Sequence, residues 1–447
     1  MELPRLERAA LAVLPLTLAL AAPAAAQARG SWSLPARIAG APDAFPQVAF
    51  TPSGRGVIAW NTFGLRTPSP GTQGAAIGID GRVAPALARS SRLGLARRAL
   101  AAYGRDRVVI GGTVLRDRRS RPAVAYGTTA GRIGPPRLLA VPGVSGDLRA
   151  LAVSRSGDLA VVASMCVRRS CAVRELWLVT RPAGGPFAAP VRLARGERVR
   201  GAAVATNARG DALAAWEDDR VIRTRMRTAA GRAGRIERLG RGVQSSFSVA
   251  LGPTRRAVVA WGSQRVSEGD ALGPFEAFAT YRAVGARFGS AQLVGRSTLT
   301  GTGRYVAEAG VRAAVAARRA TVTYTAFDGE RFVVRSRDLA GRRFGAAQTL
   351  SPLDRDAILA DAATGSRGEQ LVTWITGRHG ADPIVGTSHG LMAAARAPAA
   401  PRFAAGETIT AGRYIDAASV AIDPISGRAV AAWRDVVEPV AYAVRAP

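Results

Sequence analysis

Short apolar runs separated by tight polar turns recur along most of the chain. The clearest copy reads VATNARGDALAAWED from Val204, and close copies read SVALGPTRRAVVAWG from Ser248 and SVAIDPISGRAVAAWRD from Ser419. Each has an apolar run, a turn containing Gly, Pro, Asn or Asp, and a second run rich in Val and Ala that mostly ends on an aromatic residue. Runs of this length and composition predict β-hairpins rather than helices.

Weaker copies fill the intervals and bring the number of hairpins to eight. They begin near Val48, Arg98, Leu148, Val311 and Ile358, and the spacing between copies is roughly 45–63 residues. That period is typical of four-stranded propeller blades.

A second motif supports the same unit. It consists of a turn, an aromatic or apolar residue and then a Leu a few positions later, as in RFGSAQLVG from Arg287 and PFAAPVRLARG from Pro186. Seven copies follow hairpins, whereas the eighth, SWSLPARIAGA at Ser31–Ala41, precedes every hairpin. We denote the strands of a blade a to d, from the channel to the rim. The N-terminal copy then supplies strand d of the last blade, which closes the ring and removes an exposed edge.

The sequence therefore predicts an all-β fold: one eight-bladed β-propeller over residues 29–447, with four antiparallel strands in each blade. Seven blades is the alternative, because the second hairpin lacks the Trp. The recurrent aromatic residues at the end of strand b are Trp60, Trp216, Trp261, Tyr324, Trp374 and Trp433. They are interpreted as packing between neighbouring blades, with a ring of Trp that stacks on sugars as the alternative.

The first 28 residues have the features of a secretory signal. Arg5 and Arg8 precede the apolar run Ala9–Ala22, and small residues follow it up to Ala28. We therefore expect residues 1–28 to be removed and the mature chain to be secreted, extracellular or associated with the cell wall, without a membrane span and as a monomer. A retained membrane anchor is the alternative, although the apolar run is short for a spanning helix.

Cys166 and Cys171 are the only cysteines, and a secreted chain favours a disulfide between them. Facing positions of a hairpin would bring the two sulfurs within reach. Zinc binding is the alternative, but two thiolates make only half of a zinc site.

The chain is strongly basic. The formal net charge is +30, and the sequence contains no Lys, so all 62 basic residues are Arg. One explanation is the codon usage of a high-GC genome, and the other is an anionic partner. Whatever its origin, such a charge attracts anionic molecules.

Propeller geometry separates these charges onto two faces. The turns between strands a and b are predicted to form an anion-binding surface of Arg55, Arg105, Arg107, Arg155, Arg209, Arg255, Arg256, Arg318, Arg319, Arg367 and Arg428. The loops between strands b and c are predicted to place acidic residues at the opposite channel mouth, namely Glu217, Asp218, Asp219, Asp270, Asp328 and Asp435. Polar turns that bind nothing are the simpler interpretation of both sets.

The arginine surface suits phosphate, sulfate or carboxylate polymers, and the acidic loops suit a cation such as calcium. No metal or other cofactor is otherwise expected. Arg223, Arg225 and Arg227 alternate along one strand and are expected to form a solvated stripe at the rim. Nucleic acid is not an expected partner, because the aromatic residues that stack on bases do not accompany these arginines.

Catalytic signals are sparse. The chain has only two histidines, His379 and His389, and it lacks the common nucleophile and phosphate-loop motifs. SGRGVIAW and DPISGRAVAAW resemble the Asp-box of sialidase-like propellers, Ser-x-Asp-x-Gly-x-x-Trp, without matching its spacing.

The G-x-A-x-x-A-W hairpins resemble those of secreted, repeat-built propeller proteins of high-GC bacteria, and this resemblance implies the fold and an extracellular role but transfers no catalytic residue. The hypothesis is a secreted binding or scaffold protein whose arginine face contacts anionic wall or matrix polymer. A glycan-acting hydrolase or lyase at the channel mouth is the alternative.

Overall fold

The computed structural model describes residues 31–39, 45–62, 71–85, 94–130, 133–242, 246–266, 272–296, 310–316, 319–377, 388–413, 415–435 and 440–447. Within them the regular secondary structure consists of 31 β-strands in eight antiparallel sheets. The innermost strands of successive sheets contact one another, and the first contacts the last. The sheets therefore form a closed ring, and the predicted eight-bladed propeller is confirmed.

Each sheet runs from strand a at the channel to strand d at the rim. The inner strands are β2 Gln47–Phe50, β5 Gly94–Tyr103, β9 Ser145–Val153, β13 Val199–Thr206, β17 Ser246–Leu251, β21 Val311–Val315, β25 Asp356–Thr364 and β29 Ile415–Ile422. The b strands are β3 Gly56–Thr62, β6 Arg107–Arg116, β10 Leu159–Cys166, β14 Ala212–Asp218, β18 Ala257–Val266, β22 Ala320–Phe327, β26 Gln370–Gly377 and β30 Ala429–Asp435.

The outer two positions complete the blades. The c strands are β4 Gly71–Ile77, β7 Arg119–Thr128, β11 Arg174–Arg181, β15 Val221–Arg227, β19 Leu272–Arg282, β23 Phe332–Ala340, β27 Ser388–Arg396 and β31 Val440–Arg445. The d strands are β8 Arg137–Leu138, β12 Val191–Gly196, β16 Ala233–Arg241, β20 Gln292–Arg296, β24 Arg343–Thr349, β28 Glu407–Ala411 and β1 Ala36–Ala39. In the first blade a single bridge between Ile77 and Val83 takes the place of strand d.

The ring closes through the N-terminal strand, as the unpaired copy of the second motif predicts. Strand β1 pairs with β31 in the eighth sheet, whose order is β1-β31-β30-β29. Ahead of β1, Trp32 forms a further bridge with Arg445, and the Ser33 N–H donates to the Val444 carbonyl at 2.7 Å. The edge of β31 is therefore covered by a segment about 400 residues away in sequence.

The recurrent aromatic residues at the end of strand b pack between blades. Each of the six is at most 1% exposed, which leaves no ring surface for stacking on a sugar. Trp261 of the fifth blade lies against Gly240 of the fourth, where an added Cβ would approach Trp261 Cζ2 to 2.9 Å. Trp216 likewise joins a cluster with Leu176 and Leu193 of the third blade. These aromatic side chains therefore belong to the core and fill the space between neighbouring blades.

A recurring turn joins strands a and b. In the fourth blade the Asn207 side-chain carbonyl accepts from the N–H groups of Arg209 and Asp211, at 2.9 and 3.0 Å. Gly210 completes this turn in the left-handed region, at φ +81°, where a side chain would be strained. Asx-type turns of this kind are encoded locally, which explains why the a–b turns can be located from sequence.

The predicted disulfide joins Cys166 and Cys171, with their Cα atoms 4.7 Å apart. Its placement differs from the expected facing hairpin positions: Cys166 ends β10 and pairs with Arg174, whereas Cys171 lies inside the loop at φ +54°. The bond therefore closes the b–c loop of the third blade on itself instead of joining two strands.

Replacing both cysteines with Ala should lower the free energy of unfolding by about 2 kcal/mol, the value expected for release of so short a loop. Urea unfolding of the double variant and the parent chain measures this loss. In the native parent, thiol reagents should label neither cysteine until a reductant is added. Immediate labelling without reductant would contradict the disulfide.

The predicted signal segment, residues 1–28, lies outside the described residues and stays a prediction, as does the domain boundary at residue 29. No helix long and apolar enough to cross a membrane occurs in the described part of the chain.

Candidate functional site

The a–b turns carry the arginines that the sequence assigns to an anion-binding surface. Arg107 is the first residue of β6 and lies 3.7 Å from Asp106, and the other described members lie in the turns themselves. Arg318 is outside the described residues. Because the strands of a blade are antiparallel neighbours, all of these turns point to the same face of the ring.

Most of the turn arginines in the fifth to eighth blades are bound to protein groups. Arg256 donates to the Tyr281 hydroxyl at 2.7 Å and Arg319 donates to the Ala400 carbonyl at 2.9 Å. Arg367 contacts Glu369 at 3.4 Å within its own turn. Arg428 reaches across the closure of the ring to the Ile79 carbonyl of the first blade, at 2.7 Å. These side chains contribute to the structure of the ring.

Arg255 makes the strongest of these contacts. Its guanidinium donates two hydrogen bonds to Asp211 of the fourth blade, at 2.8 and 2.9 Å. The Asp211 side chain is fully buried and also accepts from Asn207 and from the Ala229 N–H. Burial alone would raise the pKa of Asp211, but the hydrogen bonds from Arg255, Asn207 and Ala229 outweigh it and hold that pKa below its ordinary value.

In the first four blades the corresponding arginines are exposed. We call Arg55, Arg105, Arg155 and Arg209 the basic arc. None of these four side chains has a hydrogen bond or an ion pair within the described residues. Four consecutive blades thus present one uncompensated guanidinium each on the same face.

The turns of the basic arc contact one another. The Ser53 hydroxyl of the first turn donates to the Arg105 carbonyl of the second, and the Gly104 N–H of the second donates to the Arg155 carbonyl of the third at 3.0 Å. The Asp158 carboxyl of the third turn lies against Gly210 of the fourth. These contacts hold the four arginines on one continuous surface, which suits repeated contacts along a polymer.

The acidic b–c loops are less open than the sequence suggests. Glu217 and Asp435 are buried, at 2% and 3% exposure. Asp218 pairs with Arg223 at 3.1 Å and Asp219 with Arg198 at 3.4 Å. Asp270 lies outside the described residues. Nearby arginines therefore compensate Asp218 and Asp219.

Asp328 is exposed and stabilises its own loop. It accepts from the Arg331 N–H at 2.9 Å and the Glu330 N–H at 3.0 Å, and these bonds hold the pKa of Asp328 below its ordinary value. Among the described residues, no three His, Cys, Asp or Glu side chains come together in a way that could hold a metal ion. The described acidic loops therefore contain no cluster of side chains that could coordinate calcium.

A second set of arginines joins neighbouring blades, and the sequence analysis names only Arg227 among them, in another role. Arg181, Arg227, Arg282, Arg396 and Arg445 end strand c of their blades and contact the preceding blade. Arg396 is the clearest case: its Nη1 donates to Asp338 of the sixth blade at 2.6 Å. An arginine at the end of strand c, directly before the next turn, is the pattern that could have identified them.

The expected solvated stripe on β15 is wrong. Arg225 donates to the Gly234 and Arg192 carbonyls, and Arg227 is buried and donates to the Ala189 carbonyl. Arg223 forms an ion pair with Asp218, so all three arginine side chains of the stripe bind other groups of the protein.

No protein-family model matches this chain, and no curated protein matches its sequence. Solved structures with distant structural similarity include the β-propeller domain of the Trilobed protease from Pyrococcus furiosus, with 10% identity over 78% of this chain and 92% of that chain and a TM-score of 0.43. A protein of unknown function from Dyadobacter fermentans has 12% identity over 93% of this chain and 98% of that chain, with a TM-score of 0.43. The Hadza microbial sialidase Hz136 has 10% identity over 90% of this chain and 65% of that chain, with a TM-score of 0.40. Similarities of this size assign no activity to the chain.

Proposed function

We propose that this protein is an exported binding protein whose basic arc contacts an anionic polymer of the cell wall or extracellular matrix. The observation that supports the proposal is the run of four exposed, unpartnered arginines on consecutive a–b turns. The turn arginines of the fifth to eighth blades are placed differently, because many of their guanidiniums bind protein groups. The proposed polymer site is therefore a sector of the ring and not the whole face.

The chemistry of arginine favours this class of ligand. A guanidinium stays charged and donates forked hydrogen bonds that match carboxylate, sulfate and phosphate groups. Single contacts of this kind at an exposed surface are weak, but several on one rigid surface act together along a repeating polymer. The net charge of +30 adds long-range attraction.

Export and extracellular location are part of the proposal. They rest on the signal-like segment at residues 1–28 and on the disulfide, since disulfides persist mainly in oxidising compartments. A monomer is proposed as the binding form.

The decisive experiment compares the parent chain, residues 29–447, with a variant in which Arg55, Arg105, Arg155 and Arg209 are each changed to Gln. Binding to immobilised polygalacturonate, dextran sulfate and polyphosphate is measured as a function of salt, with neutral dextran as the blank. The parent should bind the polyanions tightly at low salt. The variant should bind weakly, and its plot of log affinity against log salt should be less steep by about 3, because each lost contact removes roughly 0.7–0.9.

A matched variant controls for net charge. Arg118, Arg168 and Arg169 lie in b–c loops of the opposite face and Arg119 begins the strand after one of these loops; all four are exposed and have no side-chain partner within the described residues. Changing these four to Gln removes the same charge and should preserve most of the binding. Equal binding by the parent and the arc variant would refute the proposal, as would failure of the parent to bind any polyanion at low salt.

The same samples test the alternative. A binding protein leaves the length of each polymer unchanged, whereas a glycan-acting hydrolase or lyase shortens polygalacturonate and creates new chain ends. Polymer length after incubation separates the two functions.

A further inference from the structure

A cavity of about 270 Å³ lies between the third and fourth blades, on the face opposite the basic arc. Three arginines line it: Arg149 from β9, Arg174 from the start of β11 and Arg200 from β13. The buried Ser164 and the exposed Glu197 also line it, and Leu176 and Val199 supply apolar wall. The proposed polymer site uses none of these residues.

Two β-bulges shape this cavity. In β9, Leu148 pairs with Ala163 and Ala150 pairs with Val162, so Arg149 is the extra residue between them. In β13, Arg200 pairs with Glu217 and Ala202 with Trp216, which leaves Gly201 as the extra residue, at φ +33°. Bulges redirect side chains. Strands β25 and β29 carry bulges at the corresponding place, so the feature belongs to the repeat; in the third and fourth blades the bulges lie beside Arg149 and Arg200 at the wall of the cavity.

The cavity holds more positive charge than its acids balance. Asp147 is shared by two arginines at long distances, with Arg149 Nη2 at 3.5 Å and Arg174 Nη1 at 3.8 Å. Both distances exceed the 2.7–2.9 Å of a good charge-assisted hydrogen bond. Arg200 has no side-chain partner within the described residues. The Arg149 side chain is 41% exposed. Its partial burial, together with the like charge of Arg174, outweighs the effect of Asp147 and lowers the pKa of Arg149, which an anion in the cavity would counteract.

The disulfide holds one wall in place. Cys166 at the end of β10 pairs with Ser145 of β9 on one side and Arg174 of β11 on the other. Since Cys171 closes the intervening loop, the backbone that carries Arg174 is restrained before any ligand arrives. Such restraint reduces the entropic cost of binding.

We propose that this cavity binds a small polar molecule through an oxyanion, with Arg149, Arg174 and Arg200 holding the charged group. Carboxylate and phosphate present the same pair of acceptor oxygens to a guanidinium, so either can supply the oxyanion. The volume is below the range for drug-sized ligands and suits a molecule the size of one sugar acid. Ser164 and Glu197 are placed to hydrogen-bond the hydroxyl groups of such a molecule.

The test is isothermal titration of the parent chain, residues 29–447, with glucuronate, inorganic phosphate, acetate and neutral glucose. Glucuronate should bind and glucose should not. Arg149→Gln and Arg200→Gln should each weaken the binding of glucuronate by more than tenfold. Arg200 is exposed, so its variant is expected to fold normally even if a change at the Arg149 bulge disturbs the strand; urea unfolding verifies both.

The anion series identifies the recognised group. Equal affinity for phosphate and glucuronate means that the oxyanion alone is recognised, and tighter glucuronate binding means that the sugar hydroxyls contribute; both support the site. Glu197→Gln should tighten phosphate binding, because it removes a negative charge from the rim.

Absence of binding by the folded parent to every anion would overturn the proposal, and so would unchanged glucuronate affinity in Arg200→Gln. The Arg105→Gln variant on the opposite face should leave glucuronate binding unchanged while weakening polymer binding. This pair of readouts separates failure of the cavity from failure of the polymer surface.

Discussion

A chain that begins at residue 41, after the closing strand, should lose on the order of 5 kcal/mol or more of folding free energy relative to residues 29–447. The deletion removes the pairing of β1 with β31, the bridge from Trp32 to Arg445 and the hydrogen bonds at Ser33. It also removes Trp32 and Ile38 from the apolar clusters of the last and first blades. The uncovered edge of β31 adds a tendency to aggregate.

Urea unfolding followed by tryptophan fluorescence measures the loss. A synthetic peptide of residues 29–42, added in excess to the shortened chain, should restore part of the stability, because it supplies the missing strand. Identical unfolding midpoints for the two chains would show that β1 does not close the ring. The point variant Ile38→Asp offers a milder test of the same contact without truncation.

Changing Asp211 to Ala should lower the free energy of unfolding by about 3 kcal/mol at neutral pH. Its carboxylate is fully buried and connects three structural units: the a–b turn of its own blade through Asn207, the c–d turn through Ala229, and the fifth blade through Arg255. Removing it leaves these donors without their shared acceptor, which carries a desolvation cost. Urea unfolding at pH 7 gives the magnitude.

The same residue predicts a pH dependence. The folded pKa of Asp211 is lowered relative to the unfolded chain, where an Asp titrates near about 3.9. The stabilisation that the Asp211 carboxylate provides is therefore fully present above the pKa of the unfolded chain. It is lost as the pH falls through the lower pKa of the folded chain. The stability difference between parent and Asp211→Ala should shrink over that acid range and stay constant above it.

Asp158 provides a matched control. It occupies the corresponding turn position in the third blade and accepts from Ser154, Ser156 and the Ala183 N–H, but no arginine in the described part of the chain pairs with it. Asp158→Ala should therefore cost less than Asp211→Ala. A double-mutant cycle with Arg255→Ala isolates the pair. Equal losses for Asp158→Ala and Asp211→Ala, with no coupling to Arg255, would contradict the proposed link between blades.

Much of the fold could be predicted from local signals. Short apolar runs and Asx-type turns such as Asn207–Asp211 are encoded within a few residues, so each hairpin could be recognised by itself. The closure could also be predicted, because SWSLPARIAGA has the form of a strand d with no hairpin before it. Counting copies of two motifs therefore determined the number of blades and the topology of the last sheet.

The arginine sites could be predicted only in part. Arg209 and Arg255 lie in equivalent turns, yet the first is exposed and unpartnered whereas the second is bound to Asp211 of the neighbouring blade. Whether an arginine is free depends on the blade beside it, which is about 45 residues away in sequence. The basic arc could not be separated from the other turn arginines before the blades were placed together.

Local patterns along the chain predict the hairpins, the repeat, the ring closure and the pairing of the two cysteines, because each rests on a short-range signal or on a choice with few alternatives. Which charges are compensated, and where a cavity opens, depends on how distant segments pack together. Arg149, Arg174 and Arg200 converge because two bulged inner strands and one disulfide-closed loop meet between adjacent blades. Such convergence is a property of packed neighbours, and packing of distant segments leaves no periodic signal along the chain.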